Sequence, residues 1–392
     1  MLNSKTFTRK NAEELSGKHI VIPDGYTKIE TRGVGFFNRG IESVTIPASV
    51  EMIEPDSFGG LYDLKTINVD KNNTSFCVIN GILFSKDGKT LVRCPPKMGL
   101  EVYSMPDDIT IIESGAFNHC EELCEIVLPK NLKKICSCAF YNCVSLKQID
   151  IPAGVSEIGN LAFSMCKNLE RITIPESVSI NGKVFLFCHS LENFTVIKAS
   201  RRRNRICTID GVLFSNDKTV LIDYPTGNKR SSYTIPDGVC EIMPGTFEAA
   251  FNLVEIIIPE SVVKIGHNAF NNCAELENVN IPHGVTDIEH YAFYSCRALK
   301  NITIPHGVTR IGYQAFSSCD GLKTVEIPDT VTSIEPGAFS CCFGLSDITI
   351  PESVTNIGFR ILSSMNPFTV RCKKDSQAHK YAVENDLEFE LM

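Results

Sequence analysis

Residues 299–321 read LKNITIPHGVTRIGYQAFSSCDG, and the same pattern begins again at Leu322. The alternation of Ile302 and Ile304 predicts a short strand with one buried face. Pro305 ends that strand, because proline has no N–H with which to continue the pairing. The opening of the unit is therefore one strand that needs a partner on its apolar side.

The rest of the unit is predicted to return the chain to the start of the next strand. Val308 and Ile311 lie three residues apart and are predicted to point inward, and Gly312 permits a tight bend. The remaining apolar residues follow at a nearly helical spacing: Ala315, Phe316, Cys319 and Leu322. This spacing predicts a helical or 3₁₀ turn on the outer side.

Copies of this unit fill the chain of 392 residues. Successive prolines of the repeated dipeptide lie 23 residues apart eight times, at positions 106 to 175 and again at 236 to 351. A single unit cannot bury its own apolar face, but stacked copies bury it against each other. We therefore predict a β-rich repeat solenoid with a parallel sheet along one side.

The full consensus, L-x-x-I-x-I-P-x-x-V-x-x-I-G-x-x-A-F-x-x-C-x-x, resembles the BspA-type leucine-rich repeats. The resemblance covers nearly all of residues 20–374 and implies a right-handed, horseshoe-like leucine-rich repeat solenoid. Members of that family are known from surface proteins of anaerobic bacteria and some protozoa, and are associated with adhesion to host matrix proteins and with protein–protein contact. The family has no shared catalytic residue to transfer to this chain.

Two stretches break the period, at about residues 77–95 and 201–225. Residues 77–95 and 207–225 match each other at a distance of 130 residues. Each has two β-rich runs around a polar turn, which is 86–89 in the first copy. We interpret both as hairpins that protrude from the solenoid.

The two ends are predicted to be caps, which an open solenoid requires. Residues 1–22 form the N-terminal cap, residues 23–374 the solenoid, and residues 375–392 the C-terminal cap. Ser376 is a suitable N-cap for a short helix over 377–385. The alternation of Leu387, Phe389 and Leu391 predicts a final strand.

Composition narrows the classes of partner. The net charge of −8 argues against a general nucleic-acid binder or a protein that binds anionic membranes. No run approaches the ~18 apolar residues of a membrane span, and the first residues lack the apolar core of a secretory signal. The sequence alone thus indicates the cytoplasm, whereas the resemblance indicates the cell surface or secretion, and the compartment stays open. We expect a monomer that neither binds nucleic acid nor inserts into a membrane.

The chain contains 17 cysteines, and eight of them occupy one repeat position: Cys120, Cys143, Cys166, Cys188, Cys273, Cys296, Cys319 and Cys342. We interpret this ladder as small, buried, reduced hydrophobic residues. A local cluster adds Cys124, Cys136 and Cys138 between Cys120 and Cys143. Burial is favoured there over a zinc site, which stays open as an alternative, because C-x-C-x₄-C is a weak zinc spacing.

A second place where metal chemistry stays open is the column that follows the repeat proline. His283 and His306 stand there on adjacent rungs, with Glu260 before them and Asp329 after them. We favour a solvated polar edge, since this column is acidic in other repeats as well. We accordingly predict no metal ion and no cofactor.

The catalytic motifs of common enzyme classes are absent: there is no G-x-S-x-G, no phosphate-binding loop and no H-E-x-x-H. We therefore predict a non-enzymatic repeat protein that binds another protein, in adhesion or host contact if it acts as its relatives do. A cytoplasmic scaffold is the alternative, and an enzyme with an unrecognised site the remote one.

Binding residues are expected where the array breaks its own pattern, since recognition concentrates on irregular elements of a rigid scaffold. The outward columns of the first strand are small, polar and poor in hot-spot residue types. The candidate contacts are one residue in each hairpin and a basic run: Phe84, Phe214, Arg201, Arg202, Arg203 and Arg205.

The cysteine ladder generates the first testable prediction. Thiol titration of the native protein is expected to modify few of the ladder cysteines, whereas denaturation should expose nearly all 17. A reagent that labels the native ladder as fast as the unfolded chain, or a disulfide between Cys273 and Cys296, would contradict the assignment.

Overall fold

A computed structural model describes residues 5–15, 17–30, 40–199, 205–363 and 368–392. The chain divides into two compact units, Met1–Ile206 and Cys207–Met392. Each unit contains two rows of strands, one from the L-x-x-I-x-I segment and one from the V-x-x-I segment of the repeat. We call these rows the first sheet and the second sheet.

The first unit has the following strands and one helix. Its first-sheet strands are His19–Val21, Ser43–Ile46, Thr66–Val69, Val102–Ser104, Glu125–Val127, Gln148–Asp150, Arg171–Pro175 and Asn193–Ile197. Its second-sheet strands are Thr6–Thr8, Lys28–Glu30, Met52–Ile53, Phe76–Ile79, Ile82–Ser85, Thr90–Arg93, Ile111–Ile112, Lys134–Ile135, Glu157–Ile158 and Ser179–Ile180. The helix Arg9–Glu14 follows the first strand.

The second unit repeats this arrangement. Its first-sheet strands are Ser232–Thr234, Glu255–Ile257, Asn278–Val279, Thr324–Glu326, Asp347–Ile350, Thr369–Cys372 and Glu388–Leu391. Its second-sheet strands are Ile206–Ile209, which begins at the last residue of the first unit, Val212–Ser215, Val220–Asp223, Glu241–Ile242, Lys264–Ile265, Asp287–Ile288, Arg310–Ile311, Ser333–Ile334 and Asn356–Ile357. The pair Phe339–Ser340 and Leu362–Ser363 forms a separate small sheet, and the helix is Gln377–Glu384.

The solenoid prediction is confirmed and the second sheet has a regular register, but the strand predicted at Ile302 and Ile304 does not form on that rung. Ile311 pairs with Ile288 on the rung before it and with Ile334 on the rung after it, in parallel. The return path, predicted only to carry inward residues, forms most of the second sheet. Val308 and Ile311 are fully buried as expected.

The outer segment differs from the predicted helical turn. The N–H of Ala315 donates to the carbonyl of Gly312 and that of Ser317 to Gln314, which are turn-type bonds. Gln314 and Ser318 have φ angles of 49° and 61°, and such left-handed residues interrupt any helix. Between them, the N–H of Phe316 donates to the carbonyl of Ala338 on the next rung at 2.8 Å. The outer segment is therefore a third hydrogen-bonded track.

The repeat phenylalanines form the core of this track. Their rings stack from rung to rung, with centroids 5.0 to 5.8 Å apart and interplanar angles of 1° to 9°. The stacks run through Phe117, Phe140, Phe163 and Phe185 in the first unit, and through Phe247, Phe270, Phe293, Phe316 and Phe339 in the second. All nine rings are buried.

The cysteine ladder is buried beside these rings and does more than fill space. The Cys296 thiol donates to the carbonyl of Phe270 at 3.2 Å, and the Cys319 thiol to that of Phe293 at 3.1 Å. Five further ladder cysteines make the same bond, at 3.0 to 3.1 Å: Cys143, Cys166, Cys188, Cys273 and Cys342. Burial raises the pKa of Cys273 to about 12 and that of Cys296 well above its ordinary value, so these groups are thiols at neutral pH.

The two insertions are hairpins, but the prediction that they protrude is wrong. In the first copy three strands pair antiparallel, and Thr90–Arg93 then pairs in parallel with Ile111–Ile112. The insertion is thus part of the second sheet. Its first turn, Asn80-Gly81, has φ angles of 49° and 83°, as a type I′ hairpin requires. Asp210-Gly211 forms the equivalent turn in the second copy, with φ angles of 51° and 80°.

The C-terminal helix and strand are present where the sequence indicated. Ser376 caps the helix Gln377–Glu384, since its hydroxyl accepts from the His379 N–H at 3.2 Å. Glu388–Leu391 pairs in parallel with Thr369–Cys372. At the other end the first strand pairs with Lys28–Glu30, and Ala12 of the helix is buried.

Truncation of one stacked ring tests the core assignment. Phe293→Ala is expected to lower the free energy of unfolding by roughly 3–5 kcal/mol, because a cavity replaces a ring that packs on two neighbours. Urea denaturation measures the change, with the half-buried Tyr294→Ala next to it as a control. A loss below about 1 kcal/mol for Phe293→Ala would show that the inward face is misassigned.

Candidate protein-binding surface

The basic run is only partly within the structure. Arg201, Arg202 and Arg203 lie outside the described residues. Arg205 is described, is exposed, and donates its backbone N–H to the carbonyl of Glu176 at 2.7 Å. This bond fixes the backbone at the end of the run.

Phe84 and Phe214 are not contact residues. Their side chains are 1% and 0% exposed, so no partner reaches them without unfolding the hairpin strands. Both rings face the core because the insertions lie in the sheet. The exposed parts of the insertions include their first turns, at 79–81 and 210, and their second turns, at 86–87 and 216–218. Hydrogen bonds from Ser85 and Ser215 lower the pKa values of Asp87 and Asp217 in the second turns.

The histidine column does not converge. His283 contacts Glu260 at 3.1 Å on the rung before it, whereas His306 contacts Asp329 at 3.3 Å on the rung after it. All four side chains are exposed. Each imidazole thus pairs away from the other histidine, as expected for a polar edge.

The cysteine cluster is also divided between environments. Cys120 and Cys143 are buried in the ladder, whereas Cys136 and Cys138 are half-buried outside it. Burial raises the pKa of Cys136 to about 12, which opposes the thiolate that a metal ion would need. Within the described ranges, no three His, Cys, Asp or Glu side chains are placed to hold a metal ion.

Exposed ring-bearing side chains of the second unit lie where the second sheet leads into the outer turn. This position was not assigned to binding from the sequence. The residue two places after each second-sheet isoleucine is a ring residue on six successive rungs: Pro244, His267, His290, Tyr313, Pro336 and Phe359. We call this set the ring column. Tyr313 is 37% exposed and Phe359 is 70% exposed. In the first unit the same position is polar on three rungs, at Ser114, Ser137 and Asn160, and is Pro55 and Gly182 on two others.

The parallel register of the second sheet places these rings in one row. Ile288 pairs with Ile311, and Ile334 pairs with Ile357, so the residues two places later also succeed one another. Each ring follows the conserved bend of its own repeat, at the position directly after the Gly of the consensus. The signal was present in the sequence as Gly266-His267, Gly312-Tyr313 and Gly358-Phe359.

A second tyrosine lies against the row. The ring centroid of Tyr291 is 5.3 Å from that of Tyr313, and the two rings are nearly perpendicular. Tyr294 packs against Tyr291 in the same manner, with centroids 5.7 Å apart. Edge-to-face pairs of this kind hold aromatic side chains in fixed orientations.

An ion network adjoins Tyr313. The Arg310 guanidinium contacts Asp287 at 2.7 Å, Glu335 at 2.9 Å and Glu289 at 3.2 Å. Burial alone would lower the pKa of Arg310, but its hydrogen bonds to these carboxylates raise it. Three carboxylates around one guanidinium leave a net charge of −2 when His290 is neutral.

Glu335 also connects this network to the ring column. Its carboxylate accepts from the backbone N–H of Tyr313 at 3.0 Å and lies 3.2 Å from Nδ1 of His290. The backbone under Tyr313 is therefore held by a side chain from the following rung. The arrangement can present rigid rings beside negative charge.

The first unit has a smaller aromatic group at a different place. The ring centroids of Tyr62 and His119 are 4.2 Å apart, and Asn142 Nδ2 lies 2.9 Å from Nδ1 of His119. Burial lowers the pKa of His119, so its ring is neutral at pH 7 and accepts this hydrogen bond. Lys97 and Glu121 pair beside it at 3.1 Å.

The chain belongs to the BspA-type leucine rich repeat family. The family profile matches residues 4–86, 97–219 and 229–369. A comparison with curated protein sequences finds no match. Across the described ranges, no helix has both the length and the apolar character needed to cross a bilayer.

Solved structures resemble this chain in fold. A leucine-rich repeat protein from Eubacterium ventriosum is 21% identical, with a TM-score of 0.57 over 91% of this chain and 82% of that one. A leucine-rich repeat protein from Bacteroides ovatus is 23% identical, with a TM-score of 0.51 over 95% and 92%. The pneumococcal vaccine antigen PcpA is 21% identical, with a TM-score of 0.50 over 96% and 89%.

The ion network generates a prediction about stability. Arg310→Ala is expected to lower the free energy of unfolding by roughly 1–3 kcal/mol at low salt, because three carboxylates are left without their cation. The loss should shrink at 0.5 M NaCl, since screening reduces the repulsion.

Urea denaturation at both salt concentrations measures this effect. The matched control is Lys300→Ala, which removes one exposed pair with Glu277 and should change stability by less than about 0.5 kcal/mol. Equal, salt-independent losses in the two variants would show that Arg310 acts only by packing.

Proposed function

We propose that this chain is a non-enzymatic binding protein for another protein, and that the ring column of the second unit makes the main contact. The observation that carries the proposal is the row of rings on successive rungs, with Tyr313 and Phe359 exposed. Tyrosine and other aromatic side chains dominate the energetics of protein interfaces. The outward columns of the first sheet offer no comparable groups.

Rigidity supports the same proposal. Hydrogen bonds of the second sheet and of the outer turn hold the rung of Tyr313, and this residue is further positioned by Glu335 and Tyr291. Side chains that are ordered before binding lose less conformational entropy when a partner arrives. A fixed row of rings is therefore an efficient contact surface.

The basic run remains a second contact in this proposal. Arg201, Arg202, Arg203 and Arg205 would add an electrostatic, salt-sensitive contribution to an acidic partner. The exposed second turns of the hairpins lie on the same insertions. Deletion of a hairpin is not a suitable test, because Phe214 and its strand belong to the core.

The biological setting we propose is adhesion or host contact at a cell surface, as the BspA-type repeats imply. The non-enzymatic part is supported by the way the polar groups pair along the array. Lys134 forms an ion pair with Glu157 on the neighbouring rung at 3.1 Å, and Lys264 forms one with Glu241 at 2.6 Å. These pairs stabilise neighbouring rungs.

Binding to immobilised host matrix proteins tests the proposal. We expect the wild-type chain to bind at least one of them, and Tyr313→Ser with Phe359→Ser to weaken that binding tenfold or more, about 1.4 kcal/mol. The control is Thr173→Lys with Thr303→Lys on the first sheet, which should change the affinity less than about twofold. A larger loss in the control than in the ring variant would move the site to the first sheet.

A further inference from the structure

We propose that the N-terminal rungs open as one cooperative body, ahead of the rest of the first unit, at the place where the first insertion enters the array. These rungs comprise residues 5–70, of which 5–15, 17–30 and 40–70 are described. We call the boundary between them and residues 76–199 the junction. The sheets, the core and the backbone hydrogen bonds are all interrupted there.

Both sheets stop at the junction. In the first sheet, Thr66–Val69 is the last strand of a three-stranded sheet, and Val102–Ser104 begins a separate five-stranded one. In the second sheet, Met52–Ile53 ends a three-stranded sheet, whereas the insertion strands belong to the seven-stranded sheet that continues to Ser179–Ile180. The parallel pairing that joins neighbouring rungs elsewhere is therefore absent between the described strands on the two sides.

The apolar core is divided at the same place. Buried side chains from Phe7 to Leu83 form a cluster of their own, whose buried members from the insertion are Phe76 and Leu83. Phe84, the next residue, is buried but does not belong to this cluster. The N-terminal rungs thus have a core that packs mainly on itself.

The column of stacked phenylalanines is interrupted as well. Cys94 occupies the position before Phe117, because its N–H donates to the carbonyl of Ala116 as the N–H of Phe117 donates to Ala139. A thiol stands where a ring would stack. Phe58 of the N-terminal rungs is buried, but it is in none of the stacked ring pairs of the described residues.

Backbone hydrogen bonding across the junction is sparse. Within the described ranges one backbone bond crosses it, from the N–H of Lys97 to the carbonyl of Leu64 at 2.9 Å. On an ordinary rung the outer turn alone supplies three bonds to the following rung, at 2.7 to 3.0 Å, from the N–H groups of Cys138, Phe140 and Asn142.

Buried polar groups at the junction lack partners. Arg93 of the insertion is 2% exposed, and its Nη1 donates to the carbonyl of Gly115. Its Nε and Nη2 have no hydrogen-bond partner among the described residues. Asp56 of the N-terminal rungs lines the same small cavity, where burial raises the pKa of its carboxyl and the charge of Arg93 opposes this shift. Buried donors without partners weaken the interface that contains them.

Side chains provide further contacts across the junction. The Tyr62 ring packs on that of His119 with centroids 4.2 Å apart, and Asn118 Nδ2 donates to the carbonyl of Gly59 at 3.3 Å. In a repeat array, cooperativity between neighbouring rungs depends on the interface between them. A weak interface lets the rungs on one side open while the other side stays folded, as sub-global opening requires.

Native-state hydrogen exchange of the full chain in increasing urea tests the proposal. The reporting amides are bonded to neighbouring rungs: Ile22, Glu54 and Asp70 before the junction, and Glu113, Cys136 and Gly159 beyond it. We expect the first three to exchange through one common opening, at least about tenfold faster than the other three. Their urea dependence should be smaller, because less surface is exposed in that opening.

Ordinary fraying from the chain end gives a different pattern. Protection would then rise gradually from rung to rung, with no step between Asp70 and Glu113. That gradient, or a single opening shared by all six amides, would overturn the proposal.

The two tyrosines that flank His119 supply a variant and its matched control. Tyr62→Ser removes a ring that crosses the junction, so it should speed exchange of the N-terminal amides about threefold or more and leave Gly159 unchanged. Tyr141 lies on the other side of His119, with centroids 5.9 Å apart, and Tyr141→Ser should not change the N-terminal amides. Thermal melting shows that both variants are folded. An unchanged N-terminal side in Tyr62→Ser, or an equal effect of both variants on it, would contradict the proposal.

Discussion

Every other feature depends on one constraint, which is that each rung must form backbone hydrogen bonds with its neighbouring rungs along as many as three tracks. Two tracks are ordinary parallel ladders, and the third uses alternate N–H groups of the outer turn, such as that of Phe316 to Ala338. A rung that is one residue shorter keeps all three tracks: Ile158 pairs with Ile180, Arg171 pairs with Asn193, and the N–H of Phe163 donates to the carbonyl of Val184. The constraint therefore acts on the pairing of the backbone groups and not on the exact length of the repeat.

The same constraint accounts for residues that look unsuitable when taken alone. Left-handed positions cost non-glycine residues roughly 1–2 kcal/mol each, yet Gln314 and Ser318 adopt them. Their cost is offset by the hydrogen bonds that the outer turn forms with the neighbouring rungs, such as the bond from the N–H of Phe316 to Ala338. Cysteine suits its position because a thiol is small enough for the core and still donates to a phenylalanine carbonyl one rung away.

The repeating features of the fold could be predicted from the sequence, because the period of the apolar residues indicates which side chains are buried. The phenylalanine column, the cysteine ladder and the solenoid itself were all readable from residues 299–321. Prediction from the sequence failed where a segment pairs with a strand that is distant in the chain. Phe84 and Phe214 were expected to be exposed, although their strands join the second sheet; the turns Asn80-Gly81 and Asp210-Gly211 were the available signal. The ring column was missed because its members differ in type and share only a position after the bend.

Functionally, the array separates two kinds of surface. The first sheet presents mainly polar groups with scattered aliphatic ones such as Val102 and Ile257, whereas the turn side of the second unit presents rings beside an ion network around Arg310. The equivalent position of the first unit carries Ser114, Ser137 and Asn160. The repeat therefore supplies the same scaffold twice, and the second copy carries the surface that we propose for binding.

Amide hydrogen exchange along the outer turn tests the three-track constraint most directly. The N–H groups of Phe270, Phe293 and Phe316 donate to the next rung at 2.8 Å, as does that of Gly312 in the second sheet to the preceding rung. We predict that these three phenylalanine amides exchange as slowly as Gly312, through unfolding of the unit. Exchange of the phenylalanine amides at the rate of an exposed turn, with Gly312 still protected, would contradict the account.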